Sequence, residues 1–198
     1  MKLSVSNIAW DNNELEAHLR LLKDLGCEGV EIAPSCIWKE PVEAKDGEIE
    51  HIKRLIKKNS LVVSAFHALL FTRPDLFLFG DRPARDMAVS YLKGLIRLAG
   101  KMSAKVLVYG SPNSRQVGSR PYSECYKIAV DVFRELAKEA KIHEACLCIE
   151  PLGSSETDFI QNAEDGYQLV RDVGSPNFGL HLDAKAMADA KEDFEKVF

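Results

Sequence analysis

The residues of this sequence best suited to chemistry are carboxylates, imidazoles and one guanidinium that fall at or near the ends of apolar runs: Glu31, His67, Arg115, Glu150, His181 and Asp183. Glu150 is the clearest case, because it closes the apolar stretch Ala145–Leu152 just before a proline. That stretch lies between a charged helical pattern and Gly153-Ser154-Ser155, and reads as a buried parallel strand. Side chains alternate along a strand, so Cys146, Cys148 and Glu150 share one face while Leu147 and Ile149 share the other. A carboxylate at the C-terminal end of such a strand stands where α/β proteins bind ligands. The alternative is a rim carboxylate that caps the next helix or pairs with a lysine.

Phe178–Asp183 repeats the pattern, with Gly179, His181 and Asp183 on one face and Phe178, Leu180 and Leu182 on the other. His181 then either lines a pocket or is a satisfied core histidine. The turn Gly110-Ser-Pro-Asn-Ser-Arg115 offers a hydroxyl, an amide, backbone N–H groups and a guanidinium after another apolar run. Such a turn can hold an anionic or polyhydroxylated ligand, the alternative being a plain turn with a surface arginine. Cys146-X-Cys148 has the look of a metal-ligand pair, but no matching Cys or His pair follows at zinc-site spacing, so core packing is the expectation.

These groups need elements to carry them. Apolar runs predict strands over Leu3–Trp10, Gly29–Pro34, Leu61–His67, Ala104–Tyr109, Ala145–Leu152 and Phe178–Asp183. Between them, amphipathic patterns predict helices over Glu14–Leu25, Ile49–Lys58, Ala84–Lys101, Tyr122–Ala140 and Ala163–Val173. Ala184–Phe198 reads as a loop and the opening of a sixth helix. Residues Ala68–Arg85 are too apolar for a solvated loop, since Phe71, Leu76, Phe77, Leu78 and Phe79 alternate with charges. They predict a binding loop or lid, or a short helix that packs its aromatics over the rim.

Six strand–helix units of about 30 residues in strict alternation argue for a parallel sheet. A doubly wound sheet usually carries a glycine-rich turn after its first strand, and Asn7-Ile-Ala-Trp-Asp-Asn12 has none. Functional groups on several strand ends favour instead an α/β parallel barrel of TIM type, incomplete here. Eight units need roughly 250 residues, so strands seven and eight are missing and residues 1–198 read as one C-terminally shortened barrel domain.

At 198 residues with 46% hydrophobic content, one sizeable core is expected. A net charge of −4 argues against a nucleic-acid surface. Five cysteines, an odd number mostly inside apolar patterns, fit reduced thiols better than a disulfide framework. With no signal-peptide pattern and no apolar run long enough to cross a membrane, the expected location is the cytoplasm.

Taken together, Ser6-Asn-Ile-Ala-Trp10, Gly29-Val-Glu-Ile-Ala-Pro34, Gly110-Ser-Pro with Arg115, Ile149-Glu-Pro151 with Thr157-Asp-Phe-Ile160, and His181-Leu-Asp183 resemble the sugar-phosphate isomerase/epimerase family. That family has the xylose-isomerase-like barrel shared with apurinic endonucleases. The resemblance implies a metal-dependent isomerase or epimerase acting on a sugar or sugar phosphate by enolisation next to a carbonyl. A keto-polyol dehydratase is a close variant. It implies Glu150 as metal ligand and acid/base and Asp183 as metal ligand, for Mn²⁺, Mg²⁺, Co²⁺ or Zn²⁺. His67, Arg115, Glu31 and His181 would contact the sugar, and Lys185 would meet a phosphate or remain a solvated rim lysine.

The family's other two ligands come from strands seven and eight, beyond Phe198. Many relatives carry a histidine three residues after the strand-six aspartate, where this sequence has Ala186. On this reading the isolated chain is catalytically inactive, and its bare sheet edges favour homo-oligomers. The competing readings are a metal-dependent apurinic endonuclease, disfavoured by the acidic balance and the scattered histidines, and a non-enzymatic binding protein on a degenerate barrel. The expected partner is a small sugar, with no nucleic acid and no membrane.

Overall fold

The computed structural model describes residues 2–197. Six strands alternate with helices: β1 (Ser4–Ser6), α1 (Leu15–Asp24), β2 (Gly29–Ile32), α2 (Asp46–Lys58), β3 (Val62–Phe66), α3 (Arg82–Lys101), β4 (Val106–Tyr109), α4 (Tyr122–Ile142), β5 (Cys146–Ile149), α5 (Ala163–Val173) and β6 (Phe178–Leu180). Two short helices, α6 (Ala184–Asp189) and α7 (Phe194–Val197), follow. All neighbouring strands are parallel, and their order in the sheet is their order in the chain. A doubly wound sheet reverses its order at a switch point. This one never reverses, so it is the wall of a barrel, open between β6 and β1.

The core lies between the sheet and the helices. Ile32, Phe66, Leu107, Tyr109, Leu147 and Ile149 are fully buried, and α3 and α4 cover the centre with Leu92, Leu95, Phe133 and Leu136. The Phe133 ring stands edge-on to Tyr109 at 5.4 Å and stacks on Phe178 at 4.8 Å, joining β4 and β6 under one helix. These residues occupy alternate strand positions, which leaves the opposite face to Ser4, Ser6, Gly29, Glu31, Cys146 and Cys148. That inner face is the one that bears the polar groups.

Helix boundaries follow capping chemistry. The third helix starts at Arg82, earlier than the expected Ala84, because Asp81 Oδ1 accepts a hydrogen bond from Ala84 N at 3.0 Å and Pro83 occupies the first turn. Helix α5 spans Ala163–Val173 as expected, capped by Asn162, which accepts from Asp165 N at 2.8 Å, and ended by Gly174 at φ 64°. Of the two readings of the aromatic segment, the short helix does not form. Its backbone instead makes successive turns, Phe71 N to Ala68 O (3.1 Å), Arg73 N to Leu70 O (3.0 Å) and Leu76 N to Arg73 O (3.2 Å). Pro74 has no N–H and disfavours a helical residue before it, which explains the interruption.

Strands are shorter than their apolar runs suggest. The first ends at Ser6, whose side chain caps a 3₁₀ turn over Asn7–Ala9, and the sixth ends at Leu180, before Asp183 caps α6. Among the described residues, no helix is long and apolar enough to cross a membrane.

Candidate functional site

Glu150 is the first residue after β5, held in strand register because its N–H donates to Tyr109 O at 3.1 Å. Its carboxylate rests against the backbone of Gly110, at the end of β4. A Cβ on Gly110 would overlap Glu150 Oε2, so the glycine is what gives the carboxylate its seat. Behind it, Arg115 is completely buried and donates from Nη2 to the Glu150 carbonyl at 2.7 Å. The other guanidinium nitrogens, Nε and Nη1, find no hydrogen-bond partner among the described residues. The structure thus places Arg115 beneath the site, where it fixes the backbone of Glu150, and not on the surface of its turn.

His181, after β6, approaches Glu150 with Nε2 at 3.5 Å from Oε1. On the other side of the crevice His67 Nε2 hydrogen-bonds Ser6 Oγ and lies 3.7 Å from Glu31 Oε2. A register shift between β2 and β3 makes this possible. Ser4 and Ser6 share one face of β1, yet Ser4 Oγ pairs with Ser64 Oγ (2.7 Å) while Ser6 pairs with His67, three residues further on. An odd spacing on one face requires an extra residue in the strand, and the bulge supplies it. Without it, His67 and Ser64 would face opposite ways.

The electrostatics follow from burial. Glu150 is pushed up from 4.5 to about 7, first by desolvation and then by the nearby negative charge of Asp183, with Arg115 acting in the opposite direction. Glu31 is raised by desolvation as well. Desolvation lowers His67, with the neighbouring His181 adding to it, and lowers His181 against the opposing pull of Asp183. Burial thus favours the uncharged form of both imidazoles and brings the Glu150 carboxyl close to neutrality. A carboxyl poised there can act as general base and acid.

Asp183 is engaged as a cap, accepting from Ala186 N at 2.7 Å. Its remaining oxygen and the Glu150 carboxylate are hard donors whose mutual repulsion a cation would relieve. The pair is a partial set only, since no group of three or more His, Cys, Asp or Glu side chains placed to hold a metal occurs among the described residues. Cys146 and Cys148 face each other at 3.8 Å between sulfurs lower on the same wall, as free thiols. Lys185 sits exposed on the rim, paired with Glu156 (3.1 Å) and Asp189 (3.3 Å).

Ser6 and Gly110 are the residues that the strand-end pattern overlooked. Ser6 stood in the sequence as a hydroxyl near the end of the first strand, and only the fold sets it in register with Glu31 on the neighbouring strand. Gly110 carries no chemical group, so only its contact reveals it. The motif Thr157–Ile160 has a supporting role: Asp158 accepts from Val117 N (2.6 Å) and Gly118 N (2.9 Å), and the Phe159 ring meets Phe79 at 4.8 Å. It ties the loops after β3, β4 and β5 together around Glu150.

Solved structures with this architecture include the apo 3-keto-D-glucoside 4-epimerase from E. coli (TM-score 0.82, 16% identity, all of this chain on 73% of that one). Another is the D-psicose 3-epimerase from Clostridium cellulolyticum H10 with D-tagatose (TM-score 0.83, 18% identity, all of this chain on 68% of that one). A third is the IolI protein with a bound zinc atom (TM-score 0.77, 19% identity, 98% of this chain on 67% of that one). At such identities the likeness establishes the fold alone. No curated protein matches the sequence. The family model described as xylose isomerase-like TIM barrel matches residues 19–197, and the chain belongs to that family.

Proposed function

We propose that this chain carries the proton-transfer part of a sugar isomerase or epimerase site, with Glu150 as the acid/base that moves a proton at the carbon next to a substrate carbonyl. The observation that carries this reading is the seat of Glu150: a half-desolvated carboxyl near neutrality, held between Gly110 and the backbone contact of Arg115, with His181 beside it. Glu150 takes the proton, and His181, neutral, lies close enough to hold a substrate hydroxyl. His67, oriented by Ser6, and Glu31 face the rest of a polyhydroxylated ligand from across the crevice. Several neighbours of the same fold are named for sugar epimerisation, which supports the substrate class.

Glu150 and Asp183 would hold a divalent cation, as the zinc in one neighbour suggests. When bound, such an ion polarises the carbonyl and stabilises negative charge on its oxygen. Inversion at carbon requires a second acid/base on the opposite face, which the family resemblance assigns to strand eight. The sequence reading expects no isomerase or epimerase turnover from residues 1–198 alone, and the step proposed for them is proton exchange at Glu150 without inversion.

The test incubates the protein with D-fructose or D-tagatose and Mn²⁺ in D₂O, with NMR following deuterium entry next to the carbonyl. Exchange above the buffer rate that disappears in Glu150→Gln is the expected result. No exchange, exchange that survives Glu150→Gln, or accumulation of the epimer would each overturn the proposal.

A second expected result concerns the seat. Gly110→Ala pushes the Glu150 carboxylate aside, and Mn²⁺ affinity measured by calorimetry should fall at least about tenfold. Unchanged affinity would mean that Glu150 is not a ligand.

A further inference from the structure

Beside the carboxylates, the C-terminal rim holds a second built feature. The turns after β3 and the turn after β4 enclose a cavity of about 280 Å³, lined by Ala68, Phe71, Pro74, Ser111 and Pro112 among others. Its position is set by its neighbours in the chain: Ala68 follows His67, and Ser111 follows Gly110, on which the Glu150 carboxylate rests. The cavity thus begins one residue beyond His67 on one wall and one residue beyond Gly110 on the other.

The walls are fixed before any ligand arrives. Leu78 N donates to Ser114 O at 2.7 Å, and Arg85 donates to Leu78 O (3.0 Å) and Gly80 O (3.2 Å), locking the aromatic segment onto the β4 turn. Leu76, Leu78 and Phe79 are buried as its anchors, yet Phe71 stays 70% exposed at the cavity. Two residues that lead into the turns hold left-handed backbone, Ala68 at φ 50° and Ser111 at φ 37°. Non-glycine residues rarely adopt this conformation, and it commonly marks functional loops.

The lining chemistry is selective. The cation among the lining residues, Arg73, is already committed: it is bidentate to Asp75 at 2.9 and 2.6 Å and lies over the Tyr91 ring at 4.6 Å. Arg115, although next to the lining residue Ser114, is buried toward the Glu150 carbonyl. A phosphate would thus enter a cavity that offers it the Asn113 amide but no free counter-charge, at a high desolvation cost. An apolar ring meets Phe71 and the two prolines instead, and a cavity of about 150 Å³ already admits benzene.

We propose that this cavity is a specificity subsite for an uncharged, ring-sized apolar substituent, such as an aglycone, carried by the sugar whose reacting carbon lies at Glu150. The inference rests on the isomerase/epimerase reading for the sugar itself, while the subsite is tested by binding alone. Phe71 is the specificity-determining side chain, and because it is largely exposed its replacement leaves the fold intact.

Calorimetry on the full chain with unreactive probes decides the matter. Phenyl β-D-glucopyranoside should bind about tenfold or more tightly than methyl β-D-glucopyranoside and glucose 6-phosphate. Phe71→Ala should remove that preference and Phe71→Tyr should keep it. Equal affinity of the phenyl and methyl glucosides, tighter binding of the phosphate, no measurable binding, or a preference that survives Phe71→Ala would overturn the subsite. Failure of the catalytic reading is separate: it appears as absent deuterium exchange, with the glucoside comparison still legible.

Discussion

In metal-free protein, Glu150→Gln should raise stability at pH 8 by on the order of 3 kcal/mol and change it little near pH 5. The sign follows from linkage. Folding raises Glu150 from 4.5 to about 7, so the folded state holds a proton that the unfolded chain has released across that interval. Stability from this group is complete below about 4.5 and is lost as pH rises through 7, where the native state must carry a desolvated carboxylate beside Asp183. Glutamine mimics the protonated form and is spared the loss. Urea denaturation of both proteins at the two pH values measures the effect, and an equal difference at pH 5 and pH 8 would refute it.

A carboxylate that costs stability where it stands is relieved by a cation, so Mn²⁺ should restore wild-type stability at pH 8 and leave Glu150→Gln nearly unchanged. A gain of stability on removal, combined with loss of proton exchange, is the behaviour of a group kept for chemistry.

Arg115→Met should push Glu150 further above 7 while costing little stability, whereas Arg115→Ala should cost about 3 kcal/mol. Arg115 is fully buried, with two guanidinium nitrogens unpaired and its own acidity shifted to about 10 by desolvation. A charge in that position is expensive, and methionine fills the same volume without it. What methionine cannot do is hold down the pKa of Glu150, whose charged form the nearby guanidinium favours. NMR titration of the labelled Glu150 carboxyl reads the shift directly. An unchanged or lowered value would show that Arg115 serves only the backbone of the turn.

Much of this arrangement is determined by the sequence alone. The alternation of short apolar runs with amphipathic helices specifies a parallel sheet, because each strand must bury one face against the helix that follows it. Helix α5 was legible to both ends, from the Asn162 cap to Gly174, since its boundaries are set by local hydrogen bonds and backbone geometry. The placement of Glu150 on the inner face also follows from period-two alternation with Leu147 and Ile149, and the structure agrees.

Only tertiary structure decided the rest. Arg115 reads in the sequence as a turn residue open to ligand, and its burial depends on the β5 carbonyl that meets it 35 positions later. The bulge that turns His67 toward Ser6 comes from strand register, which no local pattern encodes. Gly110 matters because of the Glu150 carboxylate lying on it, a contact between strands. The aromatic segment read as a binding loop or a short helix, and Pro74 and the Leu78 to Ser114 hydrogen bond made it a wall of turns. In each case the deciding interaction joins residues far apart in the chain. Periodicity reports which face a residue occupies, and only the folded structure determines what it meets there.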